Sequence, residues 1–279
     1  MTTILFPGQG SQEPGMGEGL WDMFPGQVEE ADDVLGYSIR ELCQGEDGRL
    51  DKTDFTQPAL YVASCLAYLA WKEDSGVQAS FAAGHSVGEY AALYAAGYVS
   101  FGDGLRMVKQ RGALMGQQSG GGMAAVIGMD LDGVREVLDG NPSLSGVDLA
   151  NINAPGQIVL SGKKDDIEAA QPVFEAAGAR RYVPLNVSGA FHSRYMQEPG
   201  EGFLEVVSTV EFMEPEFPVI SNLEAKPYEK GREAELLVQQ IYSPVKWVDS
   251  ILYLRAQGEM DFLELGPGKV LTGLLRRIK

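Results

Sequence analysis

Apolar and polar positions along the chain follow two rhythms. Short runs of apolar or small residues at 2–6, 80–83 and 261–265 have the length of buried strands. Longer segments rich in helix formers lie at 28–35, 39–42, 59–71, 87–96, 104–117, 234–241 and 247–255, and a last helix follows Gly266-Pro267-Gly268. Short apolar strands alternating with helices predict a mostly parallel sheet covered by helices. Segment 59–71 is almost wholly apolar and is expected to pack on that sheet, with Thr56 as its cap and Pro58 at its first position. Ser100-Phe101-Gly102-Asp103 has the spacing of a capping box at the head of 104–117.

The rhythm changes after a glycine-rich link at 116–122. A strand at 123–128, a helix at 132–138 and a strand at 147–153 lead to the turn Pro155-Gly156. A strand at 157–161, a helix at 165–177 that contains Pro172, and a strand at 180–185 follow. This β-α-β-β-α-β order is that of a ferredoxin-like unit. The expected division is a large α/β domain made of residues 1–123 and 187–279, with 124–186 inserted as a small domain.

Candidate chemistry begins at Gly84-His85-Ser86-Val87-Gly88, which reads G-x-S-x-G between a strand and a helix. In such a nucleophile elbow the serine sits on a strained turn, and the glycines leave room for the tight backbone. Ser86 would then stand at a helix N-terminus, where free N–H groups and the helix dipole favour an oxyanion. Strand 2–6 runs into Pro7-Gly8-Gln9-Gly10-Ser11-Gln12, which lacks the Gly-Lys-Ser/Thr of a phosphate-binding loop. Its glycines around Gln9 suggest a backbone amide turned toward a ligand. Arg111 has Met107, Val108, Leu114 and Met115 three and four positions away, so its guanidinium leaves an apolar stripe. It must reach solvent or meet an anion, either a structural carboxylate or that of a substrate. The chain contains only two histidines. His85 adjoins the serine, and neighbouring side chains on an elbow diverge, which leaves His192 as the candidate base.

Composition narrows the classes. The chain has 279 residues, 44% of them hydrophobic and 22% charged, as in an ordinary globular protein. No apolar run approaches the ~20 residues of a bilayer span, and residues 1–6 lack the pattern of a leader. No membrane association and a cytoplasmic location are therefore expected. The two cysteines, Cys43 and Cys65, suggest neither a disulfide framework nor a metal site. A net charge of −17 argues against a nucleic-acid partner.

Several stretches together resemble the malonyl-CoA:acyl-carrier-protein transacylases and the freestanding acyltransferases of polyketide synthases. They are Phe6-Pro7-Gly8-Gln9-Gly10-Ser11-Gln12, Gly84-His85-Ser86-Val87-Gly88-Glu89, Gln110-Arg111-Gly112, Asn153-Ala154-Pro155-Gly156-Gln157, Gly189-Ala190-Phe191-His192-Ser193 and Gly266-Pro267-Gly268, in family order over nearly the full length. The resemblance implies an α/β-hydrolase-like large domain with a ferredoxin-like insert. It implies Ser86 as nucleophile, His192 as base, the carbonyl of Gln240 orienting that histidine, and an oxyanion hole from the N–H groups of Gln9 and Val87. Val87 departs from the leucine usual in bacterial fatty-acid members. Arg111 would meet the malonyl carboxylate, and Phe191 and His85 complete the substrate-facing candidates. The implied reaction takes malonyl from malonyl-CoA to the phosphopantetheine thiol of an acyl carrier protein, by a ping-pong route without a metal or redox cofactor. A monomer that docks its carrier weakly and transiently is expected, with Arg180, Arg181, Arg276, Arg277 and Lys279 as candidate docking groups. The alternative is a serine esterase or thioesterase using the same Ser-His pair.

Overall fold

The computed structural model describes residues 2–279. Its strands are β1 (Thr2–Phe6), β2 (Ala79–Gly84), β3 (Gly121–Ile127), β4 (Val147–Ala154), β5 (Gln157–Lys163), β6 (Arg181–Pro184), β7 (Val219–Ile220) and β8 (Asp261–Glu264). The helices are α1 (Pro25–Leu35), α2 (Ile39–Gln44), α3 (Thr53–Ser75), α4 (Gly88–Ala95), α5 (Phe101–Gly116), α6 (Leu131–Gly140), α7 (Lys164–Ala176), α8 (Gln197–Val207), α9 (Glu233–Tyr242), α10 (Trp247–Ala256) and α11 (Val270–Leu275).

The first sheet is parallel throughout, in the order β7-β2-β1-β8. Its central strand β1 is buried from Thr3 onward, because apolar side chains on both faces meet covering helices. Phe6 lies opposite Gly84 in the register, so β1 and β2 end side by side. The loop after β1 and the turn after β2 therefore emerge together at the carboxyl edge of the sheet, where open α/β sheets form their sites.

The second sheet is antiparallel, in the order β4-β5-β3-β6, and α6 and α7 supply its β-α-β-β-α-β connection as the sequence predicts. It has its own apolar cluster, including Val126, Val134, Leu160, Ile167 and Phe174. Helix α7 runs through Pro172. The second sheet is tied to the segment between α9 and α10, where Ile152 N–H donates to the Val245 carbonyl and Val245 N–H to that of Ala150, both at 2.9 Å. The mixed α/β class with a parallel main sheet is borne out.

Some boundaries differ from expectation. Helix α3 starts at Thr53, so Pro58 lies inside it and Thr56 is no cap; the Thr56 hydroxyl donates back to the carbonyls of Leu50 and Lys52. Ser100 does cap α5 by accepting from Asp103 N–H at 3.0 Å, and the helix starts at once with Phe101 and runs through Gly116. The link thus shortens. Helix α8, although Pro199, Phe203 and Val207 recur every fourth residue on its buried face, and strand β7, which is only two residues long, are not among the expected elements. Helices α3 and α5 lie close because glycines face the partner: a Cβ on Gly104 would come within 2.1 Å of the Tyr61 hydroxyl. That proximity sets Arg111 of α5 beside Gln57 of α3.

Candidate active site

The turn after β2 shows why both elbow glycines are needed. A Cβ on Gly84 would lie 2.0 Å from the Gly88 backbone, and one on Gly88 would lie 2.3 Å from the Phe6 carbonyl oxygen. Ser86 itself adopts φ = 53°, a conformation costing about 1–3 kcal/mol for a residue with a Cβ. Side chains from far along the chain hold it there. Asn222 Oδ1 accepts from the Ser86 N–H at 2.7 Å, Asn222 Nδ2 donates to the Gly84 carbonyl at 2.6 Å, and Gln240 Nε2 donates to the Ser86 carbonyl at 3.0 Å.

Ser86 Oγ lies 2.7 Å from His192 Nε2, and His192 Nδ1 lies 2.9 Å from the Gln240 carbonyl oxygen. A carbonyl can only accept, so Nδ1 carries the proton and Nε2 is free to take one from the serine hydroxyl. His192 is buried, and that burial, helped by the charge of Arg111, pushes its imidazole down to about 3. The ring is therefore a neutral acceptor at physiological pH.

Arg111 is completely buried. Its Nη1 donates to Gln57 Oε1 at 2.7 Å, and its Nη2 to Gln240 Oε1 at 2.9 Å and to Ser86 Oγ at 3.1 Å. Its Nε has no partner among the described residues, and its guanidinium sits 5.6 Å from the Tyr90 ring centroid. All of these hydrogen-bond acceptors are neutral. Burial accordingly depresses the basicity of the guanidinium, and an anion beside Ser86 would gain from so poorly compensated a cation.

The remaining candidates fall around the same point. Gln9, His85, Ser86, Val87, Phe191 and His192 help line a cavity of about 100 Å³, closed by Met115 and Met123 among others. That space suits a short acyl group. A Cβ on Gly8 would approach the His85 carbonyl oxygen to 2.4 Å, so the loop after β1 lies directly on the elbow. The N–H groups of Gln9 and Val87 donate to no protein acceptor among the described residues. His85 turns away from the serine hydroxyl: its Nε2 lies 2.8 Å from Asn153 Oδ1 and its ring stands 5.5 Å from that of Trp247. Arg180, Arg181, Arg276, Arg277 and Lys279 are exposed and do not line this cavity.

Sequence reasoning assigned no part to Gln57, Glu89 or Asn222, and it gave Gln240 only its carbonyl. Glu89 is legible afterwards as the one charged residue of the otherwise apolar α4, whereas Gln57 sits among other polar residues in the first turns of α3. Asn222 carries no local signal at all.

The chain is similar over its whole length to known proteins. Over 281 residues the chain is 52% identical to the polyketide biosynthesis malonyl CoA-acyl carrier protein transacylase PksC of Bacillus subtilis, covering 100% of this chain and 97% of that protein. It is 51% identical to the polyketide biosynthesis protein PksE of the same organism, but all of this chain spans only 36% of that longer protein. The crystal structure of malonyl CoA-acyl carrier protein transacylase from Burkholderia pseudomallei superposes with a TM-score of 0.95 at 46% identity, covering 100% of this chain and 97% of that one. Residues 3–277 match the acyl transferase domain family, and the chain belongs to that family.

Proposed function

We propose that this chain transfers a malonyl group from malonyl-CoA to the phosphopantetheine thiol of an acyl carrier protein through a malonyl-serine intermediate. The observation that carries the proposal is the wholly buried Arg111, with neutral hydrogen-bond partners and Nη2 3.1 Å from Ser86 Oγ. A hydrolase of neutral esters gains nothing from a cation there. A donor with a terminal carboxylate does, since the guanidinium fork can take it bidentately. The names of PksC and of the Burkholderia structure support the same substrate pair.

In this reading residues 1–123 and 187–279 form the catalytic domain and 124–186 the insert beside it. His192 Nε2 takes the proton of Ser86, and Oγ attacks the thioester carbonyl. The N–H groups of Gln9 and Val87 hold the oxyanion, each such donor contributing roughly 3 kcal/mol to the transition state. Collapse breaks the C–S bond, and CoA leaves with the proton that His192 returns. The carrier's thiol then gives its proton to His192 and attacks the serine ester, and Ser86 Oγ recovers a proton as it leaves. No metal or redox group takes part in these steps. Phe191 stands beside the acyl cavity and restricts substituents on the malonyl carbon.

Intact mass measured after brief exposure to malonyl-CoA tests the proposal. The wild type should gain one malonyl group that moves to an added phosphopantetheinylated carrier, and Ser86→Ala should gain none. An adduct on Ser86→Ala would overturn the nucleophile. Release of malonate at the same rate with and without carrier would make the protein a hydrolase.

A further inference from the structure

One carboxylate in the first turn of α4 touches neither the acyl cavity nor solvent, yet the site is built around it. Glu89 is fully buried. Its Oε2 accepts from Gln240 Nε2 at 2.7 Å and from the Asn222 N–H at 3.1 Å, and its Oε1 accepts from the Tyr228 hydroxyl. These are the side chains that fix the reacting groups. Asn222 holds the Ser86 N–H and the Gly84 carbonyl; Gln240 holds the Ser86 carbonyl, receives Arg111 Nη2 on its Oε1, and orients His192 through its own carbonyl.

Resting on the acyltransferase reading above, we propose that Glu89 is a positioning residue that clamps Asn222 and Gln240, and through them sets Ser86, Arg111 and His192 for acylation. The argument is one of donors and acceptors. An ionised carboxylate only accepts, so it obliges Gln240 to present its NH₂ to Glu89. The carbonyl oxygen of the same amide is then left to face Arg111. An apolar residue at 89 would take the acceptor from one Gln240 amide hydrogen and from the Asn222 N–H, leaving that amide held only by the Ser86 carbonyl and Arg111. A buried carboxylate is costly unless its oxygens are fully used. Burial pushes Glu89 up to about 7 against the opposing pull of Tyr228, Gln240, Asn222 and Arg111. The residue's value to the molecule therefore lies in its reach and its acceptors more than in its charge.

Two conservative variants separate reach from charge. Glu89→Gln keeps the length, with its carbonyl oxygen on Gln240 and Asn222 and its NH₂ toward the Tyr228 hydroxyl, which can rotate to accept. Glu89→Asp keeps the charge but withdraws the carboxylate by one methylene, so it cannot bridge both partners. The clamp predicts that Glu89→Gln loads malonyl on Ser86 within about threefold of wild type, whereas Glu89→Asp loses about 10²-fold, the scale of a displacement near 1 Å. Equal loss in both, or Asp outperforming Gln, would overturn it, because charge or bulk fold integrity would then decide.

Labelling of Ser86 by a neutral fluorophosphonate is measured in parallel, together with thermal unfolding. The reagent needs the serine and histidine but no malonyl donor, so it reads the clamp even if malonyl-CoA proves to be the wrong substrate. The same order of Gln over Asp is expected with it. An Asp variant that is folded and labels like wild type would sink the proposal; if Asp fails to fold, labelling of the folded Gln variant at well under a tenth of the wild-type rate would do so.

Discussion

Ser86 and His192 both adopt left-handed backbone conformations, at φ 53° and 57°, and they are two of three such non-glycine residues among the described residues. The chain supports the two turns by different means. At Ser86 the room is made within the turn, where Gly84 and Gly88 flank the serine and no Cβ fits on either, and only the hydrogen bonds with Asn222 and Gln240 arrive from a distance. At His192 the room and the hydrogen bonds both come from elsewhere. The Ile241 carbonyl accepts from its N–H at 3.2 Å, the Gln240 carbonyl from Nδ1, and Asp148 of β4 grips the next residue but one, Arg194, through its N–H and its guanidinium. Even the glycine that makes space there, Gly121 at the start of β3, is remote in sequence; a Cβ on it would lie 2.1 Å from Ala190 N. Strain shows in a sequence when its relief lies within the same few residues. It is hidden when the fold brings the relief from a distance.

Two glycine substitutions sharpen the contrast and carry the largest expected effect. Gly84→Ala drives a methyl into the backbone of Gly88 and Glu89, neither of which can yield, and should cost more than about 4 kcal/mol. Gly189→Ala meets the rim of the Phe191 ring, which can turn, and should cost about 1–2 kcal/mol. Thermal unfolding of the two purified variants compares them directly, and similar melting temperatures would erase the distinction between the turns.

The next effect concerns the two histidines themselves. His192→Ala should slow acylation of Ser86 by at least ~10², the lower range for loss of a general base. His85→Ala should slow it less, because that imidazole is engaged with Asn153 and not with the serine. Stopped-flow loading of the two variants decides the matter, and a larger loss at position 85 would mean that elbow geometry has been misjudged.

The same distinction explains what could be read in advance. The elbow, the β-α-β-β-α-β order and the Ser100 cap are all written in short stretches, and all are found. The start of α3 was misplaced because Pro58 reads locally as a first-turn residue, while Thr56 in fact bonds backward to Leu50 and Lys52. Asn222 lies in the turn after the two-residue strand β7, whose brevity offers no alternation to detect. Arg111 was visible as a cation on an apolar face. Its neutral partners, Gln57 and Gln240, were not, since only the packing of α3, α5 and α9 brings them together.

A smaller effect appears on titration. Burial and the Arg111 charge depress the His192 imidazole from its ordinary 6.5 to about 3. A depressed pKa keeps the ring neutral, and so able to accept the serine proton, through the range in which an ordinary histidine would already be charged. The acid limb of fluorophosphonate labelling should therefore fall well below 6.5. Arg111→Gln removes the charge that adds to the effect of burial and should shift the limb upward part of the way. A wild-type limb at the ordinary value would show that the turn at His192 is more open to water than its burial indicates.

The smallest effect tests which side of the site the carrier uses. Acyl carrier proteins are generally acidic and this chain carries −17, so the net fields repel and docking must rest on local cations. Arg277 is already occupied, donating to Gln157 Oε1 at 2.5 Å and to the Pro155 carbonyl at 3.1 Å. Arg180 and Arg181 are exposed at the head of β6, the strand that leads through 185–191 into the His192 turn. Reversing both to Glu should weaken the carrier half-reaction by roughly tenfold, each exposed contact being worth up to about 1 kcal/mol. Loading of Ser86 from malonyl-CoA should stay near normal. Both half-reactions can be followed by intact mass at low ionic strength, where such contacts are least screened. An unchanged carrier step would place docking on another face, and a failed CoA step would mean that the pair serves the donor.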